Sequence, residues 1–140
     1  MIRKATLDDV ETVMEWGRKF HAYSPWGERV AIEEDDWRQT VENLLGSEDA
    51  AVFISDHGFC GGLIFSMYFN ASYRIGQELF WYASKDGKEL REAFEDWAES
   101  RGAKAIQMSC IADKREKAVR RLFGMAGYAA TETALMKELT

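Results

Sequence analysis

The sequence predicts an α/β or α+β fold, in which a mixed, mostly antiparallel sheet is flanked by about four helices. An aromatic-rich, strand-like run over residues 75–83 leads through a short turn into a helix with one apolar face. Two further strand-like runs, residues 50–55 and 59–69, are separated by an Asp-His-Gly turn at residues 56–58, which is a hairpin signal. Helices and strands in this order pack as layers around one sheet.

Length and composition predict a single domain over residues 1–140. The chain is 46% hydrophobic and 13% aromatic, which is enough to fill a core without disulfides or metals. Its formal net charge of -6 argues against nucleic acid or an anionic membrane as a partner, because both would repel it.

Nothing in the sequence predicts a membrane-spanning or secreted protein. No apolar run reaches the ~18 residues that a membrane helix needs. The first residues also lack a basic patch followed by an apolar run. We therefore expect a cytoplasmic protein.

The cysteines and histidines predict neither a metal site nor a disulfide. Cys60 and Cys110 lie in apolar, strand-like runs without CxxC spacing, so buried free thiols are expected. His21 and His57 lie near the ends of predicted elements and have no catalytic partner in the sequence.

The first 45 residues predict one short strand and two helices. The strand covers residues 1–5, and the first helix runs from about 7 to 21 after a capping box formed by Thr6 and Asp9. The second helix covers residues 33–45 and begins with four carboxylates. The positive end of the helix dipole stabilises such carboxylates, an interpretation that we favour over a cation-binding acidic rim.

The loop between these helices, residues 22–31, carries large aromatic side chains. Tyr23 and Trp26 flank Pro25, the only proline of the chain. Loops of this kind often lie over a binding site. A loop held on the surface by its aromatic side chains explains the pattern equally well.

In the middle of the chain, glycines mark irregular backbone. Gly61 and Gly62 predict a bulge or a close backbone approach within the strand at 59–69. Residues 70–73 are predicted as the next turn, and Gly102 as the end of the central helix. The apolar positions of that helix recur at helical spacing: Leu90, Ala93, Phe94, Trp97 and Ala98.

The last third predicts two strands around one helix. Residues 105–111 are predicted as a buried strand, and residues 128–139 as a final strand. Asp113 is expected to cap the helix and Gly127 to end it. Four of its side chains are expected to pack inward: Ala118, Val119, Leu122 and Phe123.

The turn before the central helix is the predicted centre of the chemistry. A strand that runs through a tight turn into a helix leaves backbone N–H groups free at the helix start. Such groups bind anions. We therefore expect a ligand beside residues 84–88.

The order of these elements and several of their sequences resemble the GCN5-related N-acetyltransferase family over nearly the whole chain. No single segment is specific, but their order and spacing together are. The segments that carry the resemblance are residues 2–10, Gly62-Leu63-Ile64, residues 78–82, residues 93–98, residues 101–103, and residues 118–128.

The resemblance implies that acetyl-coenzyme A binds between the fourth and fifth strands. Its pantetheine would pair with strand-four backbone, and its pyrophosphate would lie on the turn before the central helix. Glu78 matches the position of the family's general base, and strand alternation would place it on one face with Phe80 and Tyr82. A solvent-exposed strand-end carboxylate is the alternative for Glu78. The implied cofactor-binding residues are Phe80, Trp81, Tyr82, Ala83, Ser84, Lys85, Gly87 and Lys88.

Two departures from the family pattern bear on function. The turn is shorter than the family's and keeps one glycine, Gly87, while Asp86 and Glu89 add carboxylates where a diphosphate would bind. Phe123 stands where the family commonly has a tyrosine that acts as general acid, which leaves Tyr128 or water for that role. Ser109 and Cys110 are further polar candidates, each more readily explained as structural.

Two hypotheses follow. The first is an acetyl-coenzyme A dependent N-acetyltransferase that acts on a primary amine of a small molecule or on a protein lysine or N-terminus, with a homodimer as a possible assembly. The second is a protein that has lost cofactor binding and works as a non-catalytic binding or structural protein through its aromatic loop and strand edges. An acidic mimic of nucleic acid is disfavoured, because dense carboxylates occur only at residues 33–36.

Overall fold

The computed structural model describes residues 1–139, in two units, Met1–Ser109 and Cys110–Thr140. The first unit contains a 3-10 turn, Leu7–Asp9, together with most of the regular structure. Its helices and strands are β1 (Arg3–Lys4), α1 (Val10–Tyr23), α2 (Glu34–Gly46), β2 (Ala50–Ser55), β3 (Gly58–Met67), β4 (Asn70–Ala83), α3 (Gly87–Ser100) and β5 (Ala105–Gln107). The second unit contains α4 (Glu116–Met125). That the chain forms a single domain stays a prediction.

The sheet has five strands in the order β1-β2-β3-β4-β5. The first four pair antiparallel, and β5 pairs parallel to β4. A mixed, mostly antiparallel sheet with four helices confirms the predicted fold class.

Each face of this sheet packs into its own apolar core. On one face, Val13 and Met14 of α1 and Val41 of α2 pack with Phe59 and Phe80 of the sheet. On the other face, side chains of α3 pack with Ala51, Cys60 and Ile64. Leu90, Phe94 and Ala98 of α3 are fully buried there, so the apolar stripe that predicted this helix faces the sheet.

The capping box at the start of the first helical segment is confirmed. Thr6 N donates to Asp9 Oδ2 over 2.8 Å, and Thr6 Oγ1 accepts from Asp8 N. Arg3 donates to both carboxylate oxygens of Asp9, over 2.8 and 2.7 Å. The hydrogen bond from Arg3 and the one from the Thr6 backbone lower the pKa of Asp9 to about 2. This contact joins β1 to the start of the helical segment.

The predicted turn at residues 70–73 is wrong. The turn lies at Tyr68 and Phe69, and β4 already begins at Asn70. Asn70 Oδ1 accepts hydrogen bonds from the backbone N and the hydroxyl of Ser72, which is the turn chemistry that asparagine makes locally. These bonds form inside an irregular part of the β3–β4 pairing rather than between the strands.

The predicted strands in the last third are largely wrong. β5 ends at Gln107 instead of residue 111, and residues 128–139 form no strand. Alanine, glutamate and lysine, which strands disfavour, make up much of 128–139, and most of these side chains are exposed. Its larger aliphatic side chains, Leu135, Met136 and Leu139, are all exposed, so no sheet buries them.

Helix α4 also differs from the prediction. Its backbone cap is Arg115, while Asp113 Oδ1 accepts from Arg115 N over 2.8 Å in the turn just before it. Phe123 is buried, but Ala118 and Leu122 are exposed. Gly127 follows the helix with a φ of 93°, so its predicted role at the helix end is confirmed.

Both cysteines are free thiols, as predicted, but only Cys60 is fully buried. Among residues 1–139, no helix is both long enough and apolar enough to cross a bilayer.

Replacing Asp9 with alanine tests the contact between β1 and the first helical segment. We expect the free energy of unfolding at pH 7 to fall by about 1–2 kcal/mol, measured in urea, since the cap and the Arg3 ion pair are both lost. The low pKa of Asp9 means that its contribution is present above the unfolded pKa near 3.8 and is lost as the pH falls toward 2. The difference between the proteins should therefore shrink in acid. Asp8→Ala, an exposed neighbour, is the control and should change stability by less than about 0.5 kcal/mol.

Candidate functional site

Strands β4 and β5 part after three paired residues, and this leaves one edge of β4 open. The parallel pairing runs from Ile75 with Ala105 to Gln77 with Gln107. On the other side, β4 stays paired with β3 as far as Ala83. From Glu78 to Ala83, therefore, the backbone N–H and C=O groups on one edge of β4 are not paired with β5.

A β-bulge lies at the point where the strands part. Gly61 pairs with Phe80 and Gly62 with Glu78, so Leu79 is an extra residue in β4. An extra residue reverses which side chains face each side of the sheet beyond it. The bulge predicted from Gly61 and Gly62 is thus confirmed.

This bulge overturns the predicted alternation, in which Glu78 shares a face with Phe80 and Tyr82. A Cβ built on Gly76 would lie 2.8 Å from Ala98 of α3, so Gly76 faces that helix. Glu78 is two residues further along a regular stretch of pairing and faces the same side. Phe80 and Tyr82 pack in the opposite core, with α1 and α2.

Glu78 is buried at the fork between the two strands. Glu78 is 6% exposed, so the alternative of a solvent-exposed carboxylate is wrong. Its Oε1 accepts a hydrogen bond from Ser109 N over 2.9 Å, across the gap where β5 has ended. Burial raises the pKa of Glu78 to about 7, while the hydrogen bond from Ser109 opposes that rise. The carboxyl therefore titrates near neutral pH.

Two neighbours shape the surroundings of this carboxyl. Gln77 Nε2 donates to Glu78 O over 2.8 Å, which holds the backbone at the fork. Cys60 lies on the same side of the sheet and is fully buried. Burial, and then the charge of Glu78, raise the pKa of the Cys60 thiol, so it stays protonated.

The turn between β4 and α3 leaves the start of the helix uncapped. Asp86 adopts a left-handed backbone with a φ of 62°, and its side chain accepts no hydrogen bond from the helix amides. The backbone bond from Leu90 N to Asp86 O is the first of the helix. The N–H groups of Gly87, Lys88 and Glu89 precede it and are the free donors of a helix start.

The rest of the turn is anchored on both sides. Trp81 Nε1 donates to Gly87 O over 2.8 Å, and Ser84 N donates to His57 O over 2.9 Å. The side chains of Lys85 and Lys88 are exposed. The turn thus presents two cations and free amides together with the carboxylates of Asp86 and Glu89.

The side chains of the predicted cofactor-binding residues on β4 mostly pack inside the protein. Phe80 is 6% exposed and stacks on Phe59, with ring centroids 4.4 Å apart. Tyr82 contacts three rings of α1 at 5.6 to 6.4 Å: Trp16, Phe20 and Tyr23. Trp81, Tyr82 and Ala83 are half-buried. An extended ligand would meet the backbone edge of this stretch and the exposed parts of these three residues.

Tyr128 lies in the second unit, whereas Glu78 lies in the first. Within that unit, Phe123 and Tyr128 make an edge-to-face contact at 5.1 Å, and Tyr128 N donates to Phe123 O over 3.0 Å. Cys110 Sγ lies near Ile111 O and Glu116 O, and burial raises the pKa of its thiol. A general acid role for Tyr128 stays a prediction.

Sequence reasoning missed two contacts of the site. It treated Ser109 as a polar side chain, whereas the backbone N–H of Ser109 makes the contact with Glu78. It also missed the bond from Trp81 to the helix start. The signal in the sequence was the glycine pair at 61 and 62. It indicated the bulge that puts the side chains of Glu78 and Trp81 on the α3 side of the sheet.

Within residues 1–139, no group of three or more His, Cys, Asp or Glu side chains is arranged to hold a metal ion. The groups that the site offers are a titrating carboxyl at Glu78 and free backbone N–H groups at the start of α3.

No family model and no curated protein sequence matches the chain. Solved structures do match over its whole length. An aminoglycoside acetyltransferase from an uncultured soil metagenomic sample has a TM-score of 0.74 at 11% identity, covering 100% of this chain and 98% of that one. AAC(6')-Iy, in complex with the bisubstrate analogue CoA-S-monomethyl-acetylneamine, has a TM-score of 0.71 at 16% identity, covering 100% and 97%.

A third similar structure is the ribosomal-protein-alanine N-acetyltransferase from Brucella melitensis biovar Abortus 2308. Its TM-score is 0.66 at 17% identity, and the match covers 99% of this chain and 98% of that one. At these identities the likeness establishes the fold. The chain shares the fold of these structures, which is the fold that the resemblance implied.

Replacing Glu78 with glutamine is expected to stabilise the protein at alkaline pH. The folded-state pKa near 7 exceeds the unfolded value near 4.5, so the native state loses stability as the pH rises from about 4.5 to beyond 7. Glu78→Gln removes this loss and should raise the free energy of unfolding at pH 8 by on the order of 3 kcal/mol. At pH 4.5 the two proteins should differ little.

Urea midpoints at both pH values check this expectation. Glu92→Gln, on the exposed face of α3, is the matched control and should leave the pH dependence unchanged. A glutamine variant at position 78 that is less stable than the wild type at pH 8 would contradict a buried, titrating carboxyl.

Proposed function

We propose that this chain is an acetyl-coenzyme A dependent N-acetyltransferase that acts on a primary amine of a small molecule or a protein. The observation that carries the proposal is the placement of Glu78: a buried carboxyl with a pKa of about 7 beside the open edge of β4. The similar structures, which include aminoglycoside acetyltransferases and a ribosomal-protein-alanine N-acetyltransferase, support an amine as the acceptor.

The open edge of β4 suits the pantetheine arm of coenzyme A. Pantetheine is extended and carries two amide groups, so it can add to a strand edge as a further strand would. The backbone of residues 79–83 would supply the partners. Because the rings of Phe80 and Tyr82 are occupied inside the core, this contact depends on backbone groups and tolerates different side chains.

The start of α3 suits the pyrophosphate. Free N–H groups at Gly87, Lys88 and Glu89, together with the positive end of the helix dipole, attract an anion. Lys85 and Lys88 add positive charge. The carboxylates of Asp86 and Glu89 oppose binding, and since Asp86 caps none of the amides, its side chain is free to turn away from the anion.

Glu78 is the proposed general base. A primary ammonium has a pKa near 10, so an amine must lose a proton before it can attack. A carboxylate with a pKa near the working pH is both deprotonated and basic enough to accept that proton, directly or through water. When bound, acetyl-coenzyme A supplies a thioester whose carbonyl carbon is the electrophile. A backbone N–H on the open edge of β4 would donate to the carbonyl oxygen.

The leaving thiolate requires a proton. We assign this step to Tyr128 or to water, since Phe123 cannot donate one. A tyrosine hydroxyl with a pKa near 10 remains protonated at neutral pH and can serve as the acid.

The acidic turn supports one alternative, a protein that has the fold but does not bind the cofactor. Asp86 and Glu89 next to a diphosphate would cost on the order of a kcal/mol each. In that case the aromatic loop, where Tyr23 rests on Tyr82, would be the contact surface for a partner. A measurement of cofactor binding distinguishes the two functions.

Under either function, we propose that the protein is a single domain and cytoplasmic.

Calorimetric titration with acetyl-coenzyme A, and with coenzyme A, tests the binding step. We expect micromolar affinity for the wild type and at least about tenfold weaker binding for Gly87→Glu, which places a further carboxylate at the pyrophosphate. Gly87→Ala is the matched control. A Cβ at this position would meet Trp81 only at an ordinary 3.7 Å, so the control should fold and bind normally. An absence of heat and of thermal stabilisation at millimolar ligand would favour the non-catalytic alternative.

The pH dependence of acetyl transfer tests the base. With a panel of polyamines, aminoglycosides and N-terminal alanine peptides, kcat/KM should rise with pH through about 7, as Glu78 loses its proton. Glu78→Gln should lower kcat by about 100-fold or more and abolish this inflection. Normal activity of the glutamine variant would remove Glu78 from the mechanism, although it would leave cofactor binding intact.

A further inference from the structure

The β3–β4 hairpin extends beyond the sheet as a two-stranded ribbon. The last pair between β2 and β3 is Ala50 with Leu63, followed by the bond from Ile64 N to Asp49 O. The pairing between β4 and β5 begins at Ile75, next to the bond from Lys104 N to Arg74 O. Beyond these points the ladder pairs are made only between β3 and β4: Phe65 with Ile75, Ser66 with Arg74 and Met67 with Asn70. The ribbon consists of residues 65–73.

The ribbon carries four large aromatic side chains that are open to solvent. Tyr68 is 96% exposed and Phe69 is 68% exposed at the turn, while Phe65 and Tyr73 are 38% and 42% exposed. None of residues 65–73 belongs to either apolar core of the described chain. Exposed apolar side chains concentrated in one segment mark a candidate interaction surface.

The ribbon is also uncharged in a highly charged protein. Charged residues make up 30% of the chain, yet none lies between residues 58 and 73. Arg74, at the base of the ribbon, is held in an ion pair with Asp49 over 3.1 Å. Edge strands that must stay unpaired are normally protected by charges, especially lysine. This ribbon lacks that protection.

We propose that the ribbon is a self-association surface that binds the ribbon of a second copy of this chain. Two copies with a net charge of -6 each repel one another, and the repulsion is weakest where both surfaces are uncharged. The ribbon offers no charge to a cationic or anionic partner. It does offer rings that pack against identical rings around a two-fold axis, in which one patch serves both partners.

The size of the patch fits a weak, reversible dimer. Covering these four rings would bury roughly 500 Å² of solvent-accessible surface per copy, since a large aromatic side chain buries about 200 Å² when it is fully covered. Two copies then bury roughly 1,000 Å², the lower limit of a specific interface. Tyr68 and Phe69 are already in an edge-to-face contact, with centroids 5.1 Å apart, so little side-chain freedom is lost on binding.

Sedimentation equilibrium of the full chain over a range of concentrations tests this proposal. The wild type should show a reversible monomer–dimer equilibrium. Replacing both Tyr68→Asp and Phe69→Asp should weaken it by about 30-fold or more, because central aromatic side chains carry most interface energy. The double variant Val30→Asp and Leu135→Asp adds the same two charges to apolar side chains that are 56% and 92% exposed outside the ribbon. It is the matched control and should still dimerise.

A salt series on the wild type tests the proposal without relying on the folding of any variant. Raising the salt concentration from about 0.05 M to about 0.5 M should tighten the wild-type dimer, since it screens the repulsion between like net charges. A wild type that stays monomeric at the highest concentration would overturn the proposal. A dimer that forms with the same dissociation constant in the ribbon variant would also overturn it. So would a monomeric wild type that pellets with zwitterionic phosphatidylcholine vesicles when the ribbon variant does not.

Discussion

The bulge at Leu79, where β4 gains one residue relative to β3, is the constraint on which the rest of the site depends. Gly62 lies so close to β4 that a Cβ on it would overlap the carbonyl oxygen of Gln77. Below the bulge, Glu78 faces α3, and above it Phe80 faces α1 and α2. Because of this reversal, Glu78 lies on the α3 face at the fork with β5, while Phe80 and Tyr82 lie in the opposite core.

A carboxyl in that position opposes folding at neutral pH. Burial raises the pKa of Glu78 to about 7, which costs native stability at that pH. Under the proposed function, the same raised pKa matches the group to its role as general base. The two apolar cores, with fully buried side chains such as Phe59 and Phe94, are the source of stability that offsets this cost. Shifted pKa values of this kind cluster at functional sites.

Local patterns predicted the first two thirds of the fold well. The capping box at Thr6, the hairpin at residues 56–58 and the apolar stripe of α3 each reflect short-range chemistry, and all three are confirmed. Gly61 and Gly62 indicated a bulge, but they did not show that the extra residue is Leu79 of the partner strand. The side of the sheet that Glu78 faces could therefore not be predicted, because it depends on the pairing of two strands. The strand predicted at residues 128–139 is wrong, because alanine, glutamate and lysine give this segment a weak β-propensity.

The most direct test of the account is to record backbone amide NMR spectra during titration with coenzyme A. The account predicts that the largest shifts lie at two places, the open edge of β4 over residues 79–83 and the free amides of Gly87, Lys88 and Glu89. The amide of Ser109 should shift as well, because it is bonded to Glu78 at the same fork. Shifts confined to other surfaces, or no shifts at millimolar ligand, would contradict an acetyl-coenzyme A site between β4 and α3.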